Sequence, residues 1–240
     1  MMRTTFHEEL DSISDQLVEM TRIAGSAIAR ATTALLDADL HLAEDVITGD
    51  RTLDHSRENL DLLAVDVLAR QQPVATDLRV VVTALRMSAD LERMGDLARH
   101  VAKVARLRYP QSAVPAPMRS LILEMGQVAE RIVAKAGSVI AARDVDMAIS
   151  LEKDDDAMDA LHRRVFTVLH TSSLPPETIV DLTLLGRYYE RFADHAVSVA
   201  RRVVYLVTGE HHSEATVDHD FPDETGASVR NLRRALDTGH

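Results

Sequence analysis

Four pairs of carboxylates, each pair four residues apart, are the side chains of this sequence whose types and spacing could do chemistry: Asp50 and Asp54, Glu92 and Asp96, Asp155 and Asp159, Glu190 and Asp194. Residues four apart on a helix share one face, one turn above the other. An isolated like-charge pair of this kind destabilises a helix by roughly 0.2–0.5 kcal/mol. Four carboxylates brought together across a helix interface cost more, and a hard cation removes that repulsion. Oxygen-only ligands suit magnesium, calcium, manganese or ferric iron, and carboxylates on facing helices build the metal sites of some helical bundles. Small residues flank the acids: Ser88 and Gly186 stand one turn before the Glu, and Gly95 and Ala193 just before the Asp. They let another helix or an ion approach. The alternative reading is a set of solvated acids beside Arg93 and Arg191, with duplication alone preserving the pattern.

Other chemistry is sparse. There is no phosphate-cradling Gly-rich loop, Gly-x-Ser-x-Gly or His-Glu-x-x-His. Clustered carboxylates can support metal-assisted hydrolysis, but nothing supplies a nucleophile or a substrate pocket, so no enzyme is expected. His195 follows the second acidic motif, where the first has Leu97, and is a candidate for contact behind the ligands. His100 reads as a helix-surface residue, Tyr188 and Tyr189 as packing residues, and His211, His212 and His219 as part of a solvated tail. Asp77-Leu78-Arg79 reads as a cap and a charge pair at a helix start.

The elements that must hold the acids are helices. Apolar residues recur at helical spacing over 6–38 (Leu10, Ile13, Leu17, Met20, Ile23, Ala27, Ala31, Ala34). A second pattern runs from Leu42 through Val46, Leu53, Leu60 and Leu63 to Val67, and Gln71-Gln72-Pro73 breaks it. Thr76 or Asp77 is placed to cap a third helix, whose stripe includes Leu78, Val81, Leu85, Met87, Leu91, Met94, Ala98 and Val101. Tyr109 to Pro117, with three prolines, reads as the linker. Three more helices are expected, over about 118–142, 144–170 and 177–207, the last stopped by Gly209.

The second half repeats the first. Glu-Arg-x-small-Asp-x-Ala-x-x-Val-Ala occurs at 92–102 and again at 190–200, an offset of 98. The preceding helices align at an offset of 105: Asp39 with Asp144, Ala43 with Ala148, Asp50 with Asp155, Asp54 with Asp159. The seven-residue difference is about two helical turns, so shortening each arm of a helical hairpin by one turn preserves the facing register. The expected fold is all-α, two tandem three-helix bundles. The expected organisation is a first repeat over 1–109, a linker at 110–117, a second repeat over 118–209 and a polar, disordered tail at 210–240, with a short basic helix over 229–236 as an option there.

Composition agrees. Of 240 residues 46% are hydrophobic and only 3% aromatic, with no Trp and no Cys, which excludes disulfides, thiol catalysis and Cys-ligated zinc. A net charge of −11 argues against a general nucleic-acid binder. No stretch approaches a membrane span and no apolar signal core is seen, so a cytoplasmic protein is expected.

Leu-Glu-Arg-Met-Gly-Asp (91–96), Tyr-Glu-Arg-Phe-Ala-Asp (189–194), Gln-Gln-Pro-Val-Ala-Thr-Asp-Leu-Arg (71–79) and Val-Tyr-Leu-Val-Thr-Gly (204–209), in this order and spacing, resemble the PhoU family of phosphate-transport regulators over residues 6–209. The resemblance implies paired three-helix bundles, often a homodimer. It implies multinuclear metal binding through acidic motifs, carried here by Asp50, Asp54, Glu92 and Asp96 and by Asp155, Asp159, Glu190 and Asp194, with iron, zinc, manganese or magnesium as the metal. It also implies negative regulation of the phosphate-starvation response. The partners would be the ATPase subunit of a phosphate ABC transporter and a sensor histidine kinase, with the membrane reached only through them and no nucleic acid bound. A protein devoted to metal storage or sensing is the alternative. The chain departs from the family pattern at His100 and Ser198, where Asn is usual, and at Ala193, where Gly is common.

Overall fold

The sequence dictates helices and almost nothing else. The computed structural model describes residues 2–210, and among them there is no strand. The helices are α1 (Met2–Asp37), α2 (Leu40–Gly49), α3 (Arg51–Gln71), α4 (Ala75–Arg108), α5 (Arg119–Ala142), α6 (Val145–Thr171) and α7 (Pro176–Thr208), with one 3-10 turn at Ala116–Met118. The tail expected at 210–240, its optional basic helix and its histidines lie, from residue 211 on, outside the described residues.

The repeat is visible in backbone detail. Ala38 and Arg143 are both left-handed, at φ 52 and 51. The next residue, Asp39 or Asp144, is extended and caps the following helix: its carboxylate accepts the Leu42 N–H at 3.0 Å or the Met147 N–H at 2.9 Å. The pairing of Asp39 with Asp144 is therefore a pairing of two N-caps.

Three expectations change. The second helix is two, α2 and α3, parted at Asp50, whose backbone stays right-handed (φ −53, ψ −36). The helix therefore continues in direction while its hydrogen-bond ladder lapses for one residue beside Gly49. Neither Thr76 nor Asp77 caps α4. Val74 is the extended N-cap, without a side-chain bond, and Asp77 lies inside the first turn, where a negative charge meets the helix dipole favourably. In α1 the buried stripe passes through Ala24 and Ile28, while Ile23 and Ala27 are only partly covered. Over a helix this long, a contact line drifts around the axis unless the repeat equals the helical period.

Bundle one is α1, the α2–α3 rod and α4, and bundle two is α5, α6 and α7. They join extensively, because α1 packs on α5 and α4 packs on α7. One core runs through both, from Ile13, Leu17 and Met20 to Phe192 and Val203. Helices α4 and α7 therefore bury two faces each. Tyr189 on α7 is fully buried and exchanges a 2.7 Å hydrogen bond with Thr32 Oγ1 on α1, tying the bundles together. The connection before α5 is also packed, with Ala113 and Val114 buried.

Two of the quoted motifs meet at one end of the molecule. Arg79, near the start of α4, donates to the Tyr205 carbonyl at 3.4 Å and lies over the Tyr205 ring. Gly209 ends α7 at φ 77, with its N–H bonded to the same carbonyl at 2.9 Å, and a Cβ there would collide with the Arg79 guanidinium.

Candidate functional site

The first acidic cluster lies where the α2–α3 rod crosses α4. Gly95 sets the approach: a Cβ at this position would stand 2.6 Å from Leu53 Cδ2 and 3.1 Å from Asp50 Oδ1. The crossing turns Asp50 inward, its side chain only 8% exposed, towards Glu92 and Asp96 at 15% and 18%. Asp54 is half-buried beside them. Burial, opposed by Arg99 and reinforced by Asp54, Asp96 and Glu92, raises the Asp50 carboxyl to about 6.

This cluster is threaded with arginine. Arg99 stands between the rods, its Nε 2.7 Å from Asp50 Oδ2 and its terminal nitrogen bonded to Asp96 Oδ1. The Nε contact is an ion pair without hydrogen-bond alignment. Arg93 donates to Asp96 Oδ2 at 3.1 Å, and Arg57 pairs with Glu92 Oε2 at 3.3 Å. That Glu92 oxygen is buried and accepts no aligned hydrogen bond, so charge alone compensates it.

The second cluster repeats the carboxylates, with His162 and Val197 at the positions of Arg57 and Arg99. Asp155 and Asp159 on α6 act electrostatically with Glu190 and Asp194 on α7, and burial together with Asp159, Asp194, Glu190 and Asp156 raises Asp155 to about 7. All of these influences push it the same way. Glu190 is 3% exposed, and both its oxygens accept from Arg187, at 2.5 and 2.6 Å. His162 lies against Gly186: a Cβ there would meet its Cδ2 at 3.1 Å. The spacing Asp155, Asp159, His162 puts this imidazole on the carboxylate face of α6.

The eight acids thus assemble as two groups of four, one per bundle. Among the described residues, no group of three or more Asp, Glu, His or Cys side chains stands in a metal-holding arrangement. The donor sets are chemically those of a hard cation. In the first bundle the Arg99 guanidinium already stands between the carboxylates of the two helices, whereas in the second Arg187 pairs with Glu190.

Sequence reasoning missed Arg57, Arg99, Arg187 and His162. The available signal was helical spacing: Arg57 follows Asp54 by three, Arg99 follows Asp96 by three, and Arg187 precedes Glu190 by three. His195 does not stand behind the acids. Its Nδ1 lies 3.1 Å from Asp90 Oδ1 across the α4–α7 interface, where Arg202 holds the other Asp90 oxygen at 2.8 Å. His100 is half-buried at the helix surface, its ring 5.2 Å from that of Tyr188, and burial lowers its pKa.

Comparison with known proteins places this geometry among relatives. The PhoU domain model matches residues 17–105 and 122–203. The phosphate-specific transport system accessory protein PhoU homolog 2 of Mycobacterium tuberculosis is 48% identical over 210 residues, covering 87% of this chain and 99% of the relative. The PhoU homolog 1 of Mycobacterium leprae is 47% identical over 218 residues, covering 90% and 98%. The crystal structure of PhoU from Pseudomonas aeruginosa superposes with a TM-score of 0.76 at 29% identity, covering 85% of this chain and all of that one.

Proposed function

This chain belongs to the PhoU family, and from that premise we propose that it is an accessory protein of phosphate transport that represses phosphate uptake and the phosphate-starvation response. The observation that carries the reading is coverage. The similarity to relatives named phosphate-specific transport system accessory proteins runs over 99% of their length and through both bundles.

The mechanism is one of contact rather than turnover. The protein is an adaptor, docking the ATPase subunit of a phosphate ABC transporter on one helix face and a sensor histidine kinase on another. When phosphate is plentiful it shifts the kinase towards its phosphatase state. Helix faces suited to such docking carry apolar residues at helical spacing in water: Leu62 and Val65 on α3, at 70% and 60% exposure, and Val180 and Leu184 on α7, at 56% and 41%. Among the described residues no helix is long and apolar enough to cross a membrane, so the membrane is reached through the partners. The adaptor acts as a homodimer in the cytoplasm, without enzymatic activity.

Deleting the gene is expected to leave phosphate-responsive genes switched on in phosphate-rich medium. Unchanged repression in the deletion strain would overturn the reading. Crosslinked pull-down in high and low phosphate is expected to recover the transporter ATPase or the kinase, and reproducible recovery of neither would remove the adaptor mechanism.

A second reading, metal storage or sensing, is favoured by one observation: Asp155 is raised by burial and by four neighbouring acids. Replacing Glu190 and Asp194 with Ala separates the two. Repression that survives loss of metal makes the metal structural, and loss of repression joins the two roles.

A further inference from the structure

The two acidic clusters are copies in sequence and unequal in charge. In the first bundle Arg99 bridges Asp50 on the α2–α3 rod and Asp96 on α4, and Arg57 pairs with Glu92 at 3.3 Å. At the offsets that superimpose the acids, Arg99 corresponds to Val197, which is 5% exposed and cannot supply a charge, and Arg57 corresponds to His162. In the second cluster Arg187, which pairs with Glu190, stands where the first half has Ala89.

We propose that Arg99 and Arg57 are built-in counter-ions that close the N-terminal cluster to metal, so that the duplicated motif has lost metal-binding capacity in one bundle. Arginine stays protonated across the biological pH range, and its planar fork matches carboxylate geometry. Arg99 sits between the two rods, where a bridging cation would have to be. A divalent ion entering there must displace a guanidinium already paired with the buried Asp50 carboxylate and the half-buried Asp96. The displaced charge would then be buried beside the ion, at a cost that the gained metal–oxygen bonds have to exceed. Arg57 likewise pairs with the buried Glu92 Oε2. The carboxylates thus retain their spacing for packing and ion pairing, and the family's metal chemistry does not follow from that spacing in this half. The inference does not depend on the regulatory role, because its readout is metal content and stability.

The test compares three full-length proteins titrated with manganese(II). Bound metal is measured by elemental analysis after desalting and by loss of the free-ion electron paramagnetic resonance signal, and Tm is taken in EDTA and in manganese. Asp50→Asn with Asp54→Asn is expected to leave bound manganese and the manganese-induced Tm change as in wild type. Lower bound metal in this variant would overturn the proposal. Arg57→His with Arg99→Val, which copies the second half into the first, is expected to have a lower Tm in EDTA, to bind manganese beyond the wild-type amount, and to regain Tm when manganese is added. A folded double-arginine variant with wild-type metal content and no manganese-dependent Tm would also overturn it. If that variant does not fold in EDTA, refolding in manganese is the expected outcome, and failure there leaves the Asn variant as the deciding arm. If wild type holds no manganese, the arginine variant decides.

Discussion

Replacing Asp155 with Asn should stabilise the metal-free protein at alkaline pH and leave it nearly unchanged in acid. Asp155 is half-buried on α6, and burial and the neighbouring acids raise its carboxyl from 3.8 to about 7. Below the unfolded value both states hold the proton and the group is silent. Between the two values the unfolded chain releases its proton while the folded chain keeps it, so stability falls as pH rises, and the full loss is present above about 7. At 1.36 kcal/mol per tenfold change, the interval sets a ceiling of about 4 kcal/mol. Solvent reaching a half-buried carboxylate screens part of this, and about 2 kcal/mol is the working value. Asn keeps the shape and removes the charge. For a protein of this size the expected gain is about 4–8 °C in Tm well above neutrality. Thermal unfolding followed by circular dichroism, in EDTA, at one pH near the unfolded value and one well above the folded value, measures it. Equal Tm differences at both pH values, or destabilisation at the higher one, would refute the electrostatic reasoning.

Smaller perturbations test the frame around the clusters. Tyr189→Phe removes the buried bond to Thr32 Oγ1 that crosses between bundles. Thr32 keeps its 2.8 Å bond to the Ile28 carbonyl, so the loss should be only about 1 kcal/mol by denaturant titration. Asp144→Ala removes the N-cap of α6 and should cost about 1 kcal/mol, with Asp39→Ala a matching control in the other bundle. Gly209→Ala sets an L-residue at φ 77 against the Arg79 guanidinium, and a loss of about 1–2 kcal/mol is expected, read as a lower Tm. An unchanged Tm in this last variant would mean that the Arg79 contact is not maintained in solution.

The helices were legible because their signal is local. A stripe such as Leu10, Ile13, Leu17 and Met20 needs only the 3.6-residue period to be read, and all four are buried. The pairing of Asp39 with Asp144 emerged from the internal alignment, and the structure shows both as N-caps, since caps recur with the turns they close. The α4 cap was misread because Thr76 and Asp77 are good capping types, and nothing local reveals that the helix follows directly on the extended Val74 through a left-handed Ala75. The break at Asp50 was hidden for a related reason: the residue keeps helical angles, and only the hydrogen-bond ladder lapses.

The candidate site divides along the same line. Its eight carboxylates, their pairing and their assignment to two equivalent groups follow from sequence by itself, because four-residue spacing fixes a helix face and the repeat supplies the correspondence. Their charge balance does not. Arg99 neutralises Asp50 across an interface between rods 49 positions apart, and Val197 takes its place in the copy, a difference that only interhelical packing makes consequential. His195 turns away to Asp90, and His100 is drawn beneath Tyr188, because α4 and α7 pack face to face. Helical period is a property of the chain; which charges share a buried crossing is decided by how the helices meet.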